Sequence, residues 1–149
     1  MGNYTVDGQG TNTAGTTLLY FVNGPTILHR LKLFEVMIGS DATADNAAET
    51  VIQRVTAEGS GGSAVTPRKN DPADPAADSN GVEDPSGEPT YTANEIMVNM
   101  PGHQRATLLW SPAEGREIIC PATADNGLGA QSITAATPWN MVVHMRYSE

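Results

Sequence analysis

The 149-residue chain carries 17 acidic against 8 basic side chains, a formal charge of -9. Such a surface repels phosphate backbones, which argues against direct nucleic-acid binding. The length suits one domain with one core, and 15 Gly with 10 Pro among many Thr, Ala, Asn and Asp predict short strands joined by turns rather than long helices.

The single cysteine, Cys120, excludes an internal disulfide. Its place at the end of Ile118-Ile119-Cys120 predicts a buried, inert thiol. The start of the chain, Met1-Gly2-Asn3-Tyr4-Thr5-Val6-Asp7, has neither the basic region nor the apolar core of a secretory signal. No apolar run approaches the roughly 20 residues that span a bilayer. The expectation is a soluble protein made in a cytoplasm, with no membrane partner.

In chain order, residues 1–13 are read as an extended arm, and Thr16–Val22 as a rich β segment. Asn23-Gly24-Pro25 then turns the chain into the long run Ile27–Ile38. That run changes phase midway: Leu31 and Leu33 share one face, whereas Phe34, Val36 and Ile38 share the other, which predicts a bulge or a strand passing between two sheets. Asp41–Glu49 is the one helical candidate, because Asp41, Thr43 and Asp45 can cap Ala-rich residues. Thr50–Thr56 reads as a strand leading into the loop Glu58–Ser63.

Residues 67–89 hold four Asp, two Glu and five Pro, with Val82 the only large apolar side chain. The segment is read as a long acidic loop. Beyond it, Ile96, Val98 and Met100 alternate with polar residues, as do Ala106, Leu108 and Trp110. The turn Pro101-Gly102-His103-Gln104 between them predicts a hairpin. Glu117–Cys120 follows as a short strand, extending an expected meander. The clearest element is the last, where Trp139, Met141, Val143, Met145 and Tyr147 face one way and Asn140, His144 and Arg146 the other, with Val142 breaking the pattern. The word Ala42-Thr43-Ala44-Asp45-Asn46 recurs as Ala122-Thr123-Ala124-Asp125-Asn126, which does not by itself establish a repeat. The whole predicts one antiparallel β-sandwich over residues 1–149, with one short helix.

Chemistry is sparse. His29, His103 and His144 stand alone in sequence, without a nucleophile motif, and no zinc pattern occurs. Asp78-Ser79-Asn80-Gly81 matches the middle of a calcium loop, but Ala76 and Gly87 occupy the two positions that should supply ligands. The carboxylate pairs Asp71 with Asp74 and Glu83 with Asp84 lie in a polar loop that offers no desolvation to separate their pKa values. Trp110, Trp139 and Tyr147 fall on apolar strand faces, as core or interface residues. The expectation is no enzyme, no cofactor and no metal.

Glu35-Val36-Met37-Ile38-Gly39-Ser40-Asp41-Ala42, Asp71-Pro72-Ala73-Asp74-Pro75-Ala76, Glu88-Pro89-Thr90-Tyr91-Thr92-Ala93, Gln104-Arg105-Ala106-Thr107-Leu108-Leu109-Trp110 and Asn126-Gly127-Leu128-Gly129 together resemble small proteins of tailed bacteriophages. Small all-β virion proteins of such phages are jelly rolls or related sandwiches that decorate or cement the capsid, commonly as trimers. The resemblance therefore implies a jelly-roll-like virion protein on the capsid surface, a homo-oligomer that clamps neighbouring major capsid protein subunits. The arm and the acidic loop are the segments expected to reach neighbouring chains. Asn3 and Tyr4 in the first, with Asp71, Asp74, Asp78 and Asp84 in the second, are the candidate contacts. The alternatives are a tail, neck or baseplate component and a host-surface carbohydrate-binding module.

Overall fold

The final strand sets the pattern for the molecule. In the computed structural model, which describes residues 2–41, 47–103, 105–135 and 139–149, Asn140–Ser148 forms β12. Met141, Val143, Met145 and Tyr147 are buried while Val142 and His144 point outward. Val142 breaks the alternation because it stands on the outer face, 42% exposed.

Eleven further strands precede it among the described residues. They are β1 (Asn3–Thr11), β2 (Thr17–Val22), β3 (Lys32–Ser40), β4 (Ala47–Ala57), β5 (Ser63–Val65), β6 (Arg68–Lys69), β7 (Asn80–Glu83), β8 (Thr90–His103), β9 (Leu108–Trp110), β10 (Ile118–Ile119) and β11 (Gly127–Ala135). No helix occurs among the described residues. All pairings are antiparallel and build two six-stranded sheets. The first runs β10-β3-β12-β1-β6, with β9 also on β3; the second runs β5-β7-β2-β11-β4-β8. One core joins them, drawing Tyr4 and Val6 from β1, Leu18 and Phe21 from β2, Val36 and Ile38 from β3, and Leu128 and Ala130 from β11.

The phase change in the third strand is a bulge. β12 pairs Arg146 with Glu35 and Tyr147 with Leu33, so Phe34 is the extra residue that returns Val36 and Ile38 to the core side. The second sheet is apolar on both faces at β2, where all six residues are buried. Tyr20 and Val22 face away from the main core and, with Val55, are covered by Val82 and Tyr91. Gly129 makes room for that cover, since a Cβ there would lie 2.6 Å from the Tyr91 hydroxyl.

Several expectations are corrected. Residues 3–11 are not a free arm: β1 lies inside the first sheet between β12 and β6, because Tyr4 and Val6 alternate inward and both are buried. Residues 42–46 of the helical candidate lie outside the described residues, as does the first copy of the repeated word. Ala47–Glu49 already belong to β4, whose pairing with β11 and β8 overrides the helical preference of alanine. The hairpin and meander are replaced by crossings between sheets: β8 pairs with β4 whereas β9 pairs with β3. Each strand is half-apolar, and the two press on the same core from opposite sides.

The acidic segment also contributes short strands, β6 on the edge of the first sheet and β7 between β5 and β2 in the second. The long edge strand β8 carries three register shifts against β4, a left-handed Asn94 and Pro101, devices that blunt an edge against strand addition.

Gly127 admits no side chain, because a Cβ there would overlap the Phe21 carbonyl oxygen on β2. Gly127→Ala should therefore force the β2–β11 pair apart and cost about 3 kcal/mol, read as a lower urea midpoint with an unchanged slope. A midpoint equal to that of the parent chain would show that the strands do not approach this closely.

Candidate functional site

At one end of the sandwich the loops are stitched together by Asn23, which is 1% exposed. Its Nδ2 donates to the carbonyls of His29 at 3.0 Å, Pro121 at 3.2 Å and Asn126 at 3.5 Å, and its Oδ1 accepts the His29 amide at 2.9 Å. One side chain thus ties the β2–β3 connection to the β10–β11 connection and sets the position of His29. The asparagine amide supplies both donors and an acceptor, which no apolar residue can replace.

The acidic segment folds back on its own domain. Asp74 accepts the Asn3 amide at 3.2 Å, Asn70 donates its amide to the Asn3 carbonyl at 2.8 Å, and the Tyr4 hydroxyl donates to the Pro75 carbonyl at 3.3 Å. Asp71 caps its own turn through the Ala73 amide at 2.8 Å, while Lys69 Nζ reaches the carbonyls of Pro72 and Asp74 at 3.1 and 2.9 Å. Asp84 stands apart in the left-handed region at φ 45°, its amide on the Leu18 carbonyl at 3.2 Å.

The structure therefore brings Asn3, Tyr4, Asp71 and Asp74 to one place and leaves Asp84 at another. Tyr4 is a correction, since at 1% exposure it belongs to the core beside Tyr147 and presents no surface to a neighbour. Burial, followed by the charges of Glu149, Asp74 and Asp78, pushes the pKa of its hydroxyl up.

Asp78 enters a different cluster. Its Oδ2 lies 3.0 Å from His29 Nε2, and its amide donates to Glu149 Oε1 at 2.7 Å. The Ser79 amide reaches Glu149 Oε2 at 3.3 Å, and the Ser79 and Tyr147 hydroxyls bond at 2.5 Å. Asn80 and Gly81, the remainder of the calcium-loop trace, are committed to β7. Residues 29, 78 and 149 share no local spacing, so no sequence motif announces this meeting.

The outer face of the first sheet is the other notable surface. His144, alone in sequence, stands between two acids: Nδ1 bonds Asp7 Oδ1, and Nε2 lies 3.8 Å from Glu35 Oε1. Arg146 meets Glu35 at 3.5 Å and Arg68 meets Asp7 at 3.3 Å, so alternating charges cross four strands. Beside this ladder stand three exposed apolar side chains, Met37 at 39%, Leu109 at 64% and Val142 at 42%. Met37 is the cross-strand neighbour of both Leu109 and His144, so apolar and charged halves adjoin. The available signal was the break in alternation at Leu108-Leu109-Trp110 and at Val142.

Cys120 is fully buried, with Sγ 3.2 Å from the Gly127 carbonyl, and burial pushes its pKa up to about 11. At the opposite end Ile38, Ala48, Met100, Leu108 and Met141 line a small apolar recess between the sheets.

Two outcomes are expected. Asn23→Ala, which removes the partner of three part-buried carbonyls and of the His29 amide, should cost about 2 kcal/mol and release hydrogen-exchange protection at His29 and Asn126 together. A loss confined to one loop would show that Asn23 does not join them. A thiol reagent at pH 8 should leave folded Cys120 untouched and label it fully in denaturant, because the raised pKa keeps the buried thiol protonated; prompt labelling of the native chain would contradict this. Comparison with known protein families, curated proteins and solved structures finds no match.

Proposed function

We propose that this chain is a structural protein of a tailed-bacteriophage virion, bound to the outer surface of the capsid as a decoration protein that clamps neighbouring major capsid protein subunits. The observation that carries the reading is the outer face of the first sheet. Three apolar side chains stand there beside a row of charges, Met37 and Val142 on the doubly paired strands β3 and β12 and Leu109 on β9 at the side of β3. A patch of this kind marks a protein-contact surface, and the charge row beside it adds orientation and selectivity.

The jelly-roll reading is supported by strand order. Eight strands fall into the facing sets β1-β12-β3-β9 and β2-β11-β4-β8. The chain crosses between these sets in the alternation of two interlocked Greek keys. Trp139 is buried and Trp110 half-buried among the described residues, which weighs against an aromatic platform for host glycans. Because the acidic segment is bonded to its own body, contact with the capsid falls to the sheet face, with Asn3, Asp71 and Asp74 at the rim. In this proposal copies assemble as trimers, and about 1,600 Å² of buried area per contact is enough for lasting attachment.

Quantitative mass spectrometry of purified virions should find hundreds of copies per particle. A handful of copies would move the chain to the tail, neck or baseplate, and none would end the proposal. Met37→Asp combined with Leu109→Asp should cut retention on particles at least tenfold, since charge replaces apolar contact at the centre of the face, while leaving the melting temperature within a few degrees. Undiminished retention would place the contact elsewhere.

A further inference from the structure

We propose that His29, Asp78 and Glu149 form a binding site for one divalent transition-metal ion, of the class represented by Zn²⁺, that clasps three separate segments of the chain. Their ligand atoms, one imidazole nitrogen and two carboxylate oxygens, all lie within 4.8 Å of one another. His29 comes from the β2–β3 connection, Asp78 from the β6–β7 connection in the middle of the acidic segment, and Glu149 follows β12.

His29 and Glu149 each carry supporting bonds. The Asn23 side chain grips both the amide and the carbonyl of His29, which fixes the backbone that carries the ring. Glu149 is 7% exposed, and its two oxygens accept the amides of Asp78 and Ser79. Those bonds orient the carboxylate and leave further lone pairs free, the outer support that metal-ligating carboxylates require. The side chains of His29 and Asp78 remain 34% and 36% exposed, which gives an ion its way in and leaves room for water as a further ligand.

The charge balance also points to a cation. Among the described residues, His29 is the one basic side chain paired with either carboxylate. A divalent ion neutralises the two carboxylates.

The donor set selects the ion. Ca²⁺ and Mg²⁺ favour all-oxygen shells, whereas an imidazole with carboxylates suits Zn²⁺ and its neighbours. Ligands at about 2.1 Å in tetrahedral array lie roughly 3.4 Å apart. The His29–Asp78 separation of 3.0 Å needs to open slightly, and Glu149 to close in by side-chain rotation. Bound metal would lock the acidic segment onto the domain, stabilising the folded chain by mass action. The site is structural and takes part in no reaction. It does not depend on the virion role proposed above.

The test uses the tag-free full chain, stripped with EDTA and titrated with ZnCl₂. Calorimetry should give one ion per chain, and a hundredfold excess of Zn²⁺ over its dissociation constant should raise the melting temperature by several degrees. The imidazole ¹⁵N signals of His29 should move while those of His144 do not, a readout on the unaltered protein that requires no variant to fold. His29→Ala and Asp78→Asn should each weaken binding at least tenfold, Asp71→Asn in the same segment should leave it unchanged, and excess CaCl₂ should not displace the ion. The proposal is overturned by absence of binding up to millimolar ZnCl₂, by unmoved His29 signals, by binding that survives both substitutions, or by displacement with Ca²⁺.

Discussion

Tyr147 is the point on which the two sheets and the acidic segment converge. It belongs to the central strand of the first sheet, its ring stacks on Phe21 of the second sheet at 4.2 Å, and Tyr4 lies 5.8 Å away on the neighbouring strand. Its hydroxyl, fully buried, bonds Ser79 at the entrance to β7. A buried phenol needs a partner, so the packing that closes the sandwich also dictates where the acidic segment re-enters the fold. Burial in turn pushes the pKa of that hydroxyl well up, keeping it a neutral donor and acceptor across the physiological range.

The same economy of partners governs the charges. With 17 acids and 8 bases, the chain cannot match its carboxylates with Lys and Arg. Main-chain amides do much of that work. Glu149 accepts from Asp78 and Ser79, Glu88 from Thr17, Glu83 from Gln9, and Asp74 from Asn3. Each such charge-assisted bond crosses between distant segments and is stronger than a neutral one. An acidic composition that would be expected to hold a loop away from the body therefore fastens it, through amides of β1 and β2 and through Glu149 after β12. Three of the exposed apolar side chains, Met37, Leu109 and Val142, stand together on the outer face of the first sheet.

Much of this was readable in advance, element by element. The burial of Met141, Val143, Met145 and Tyr147 follows from period-two spacing, and the shift of apolar residues between Leu33 and Val36, which allowed a bulge or a strand passing between sheets, is a bulge at Phe34. The burial of Cys120 was equally plain from its apolar neighbours. The readings that failed share one cause. Residues 3–11 and the acidic segment were given no strand partner at all, and the stretch from Ile96 to Trp110 was paired with its neighbour along the chain. In fact β1 pairs with β12, β9 with β3 and β7 with β2. A strand's backbone donors and acceptors are the same whichever partner it takes, so pairing is settled by which faces fill the shared core.

What the amino-acid order determined by itself is therefore the local alternation: an all-β chain of short strands, with inward and outward faces written into residue types because pleated side chains alternate obligatorily. Only the tertiary structure decided which strands adjoin, that the acidic segment turns back onto Tyr4 and Tyr147, and that His29, Asp78 and Glu149 meet. Those outcomes depend on contacts between residues far apart in sequence, where the free energy belongs to the joint packing of both sheets and to no single segment.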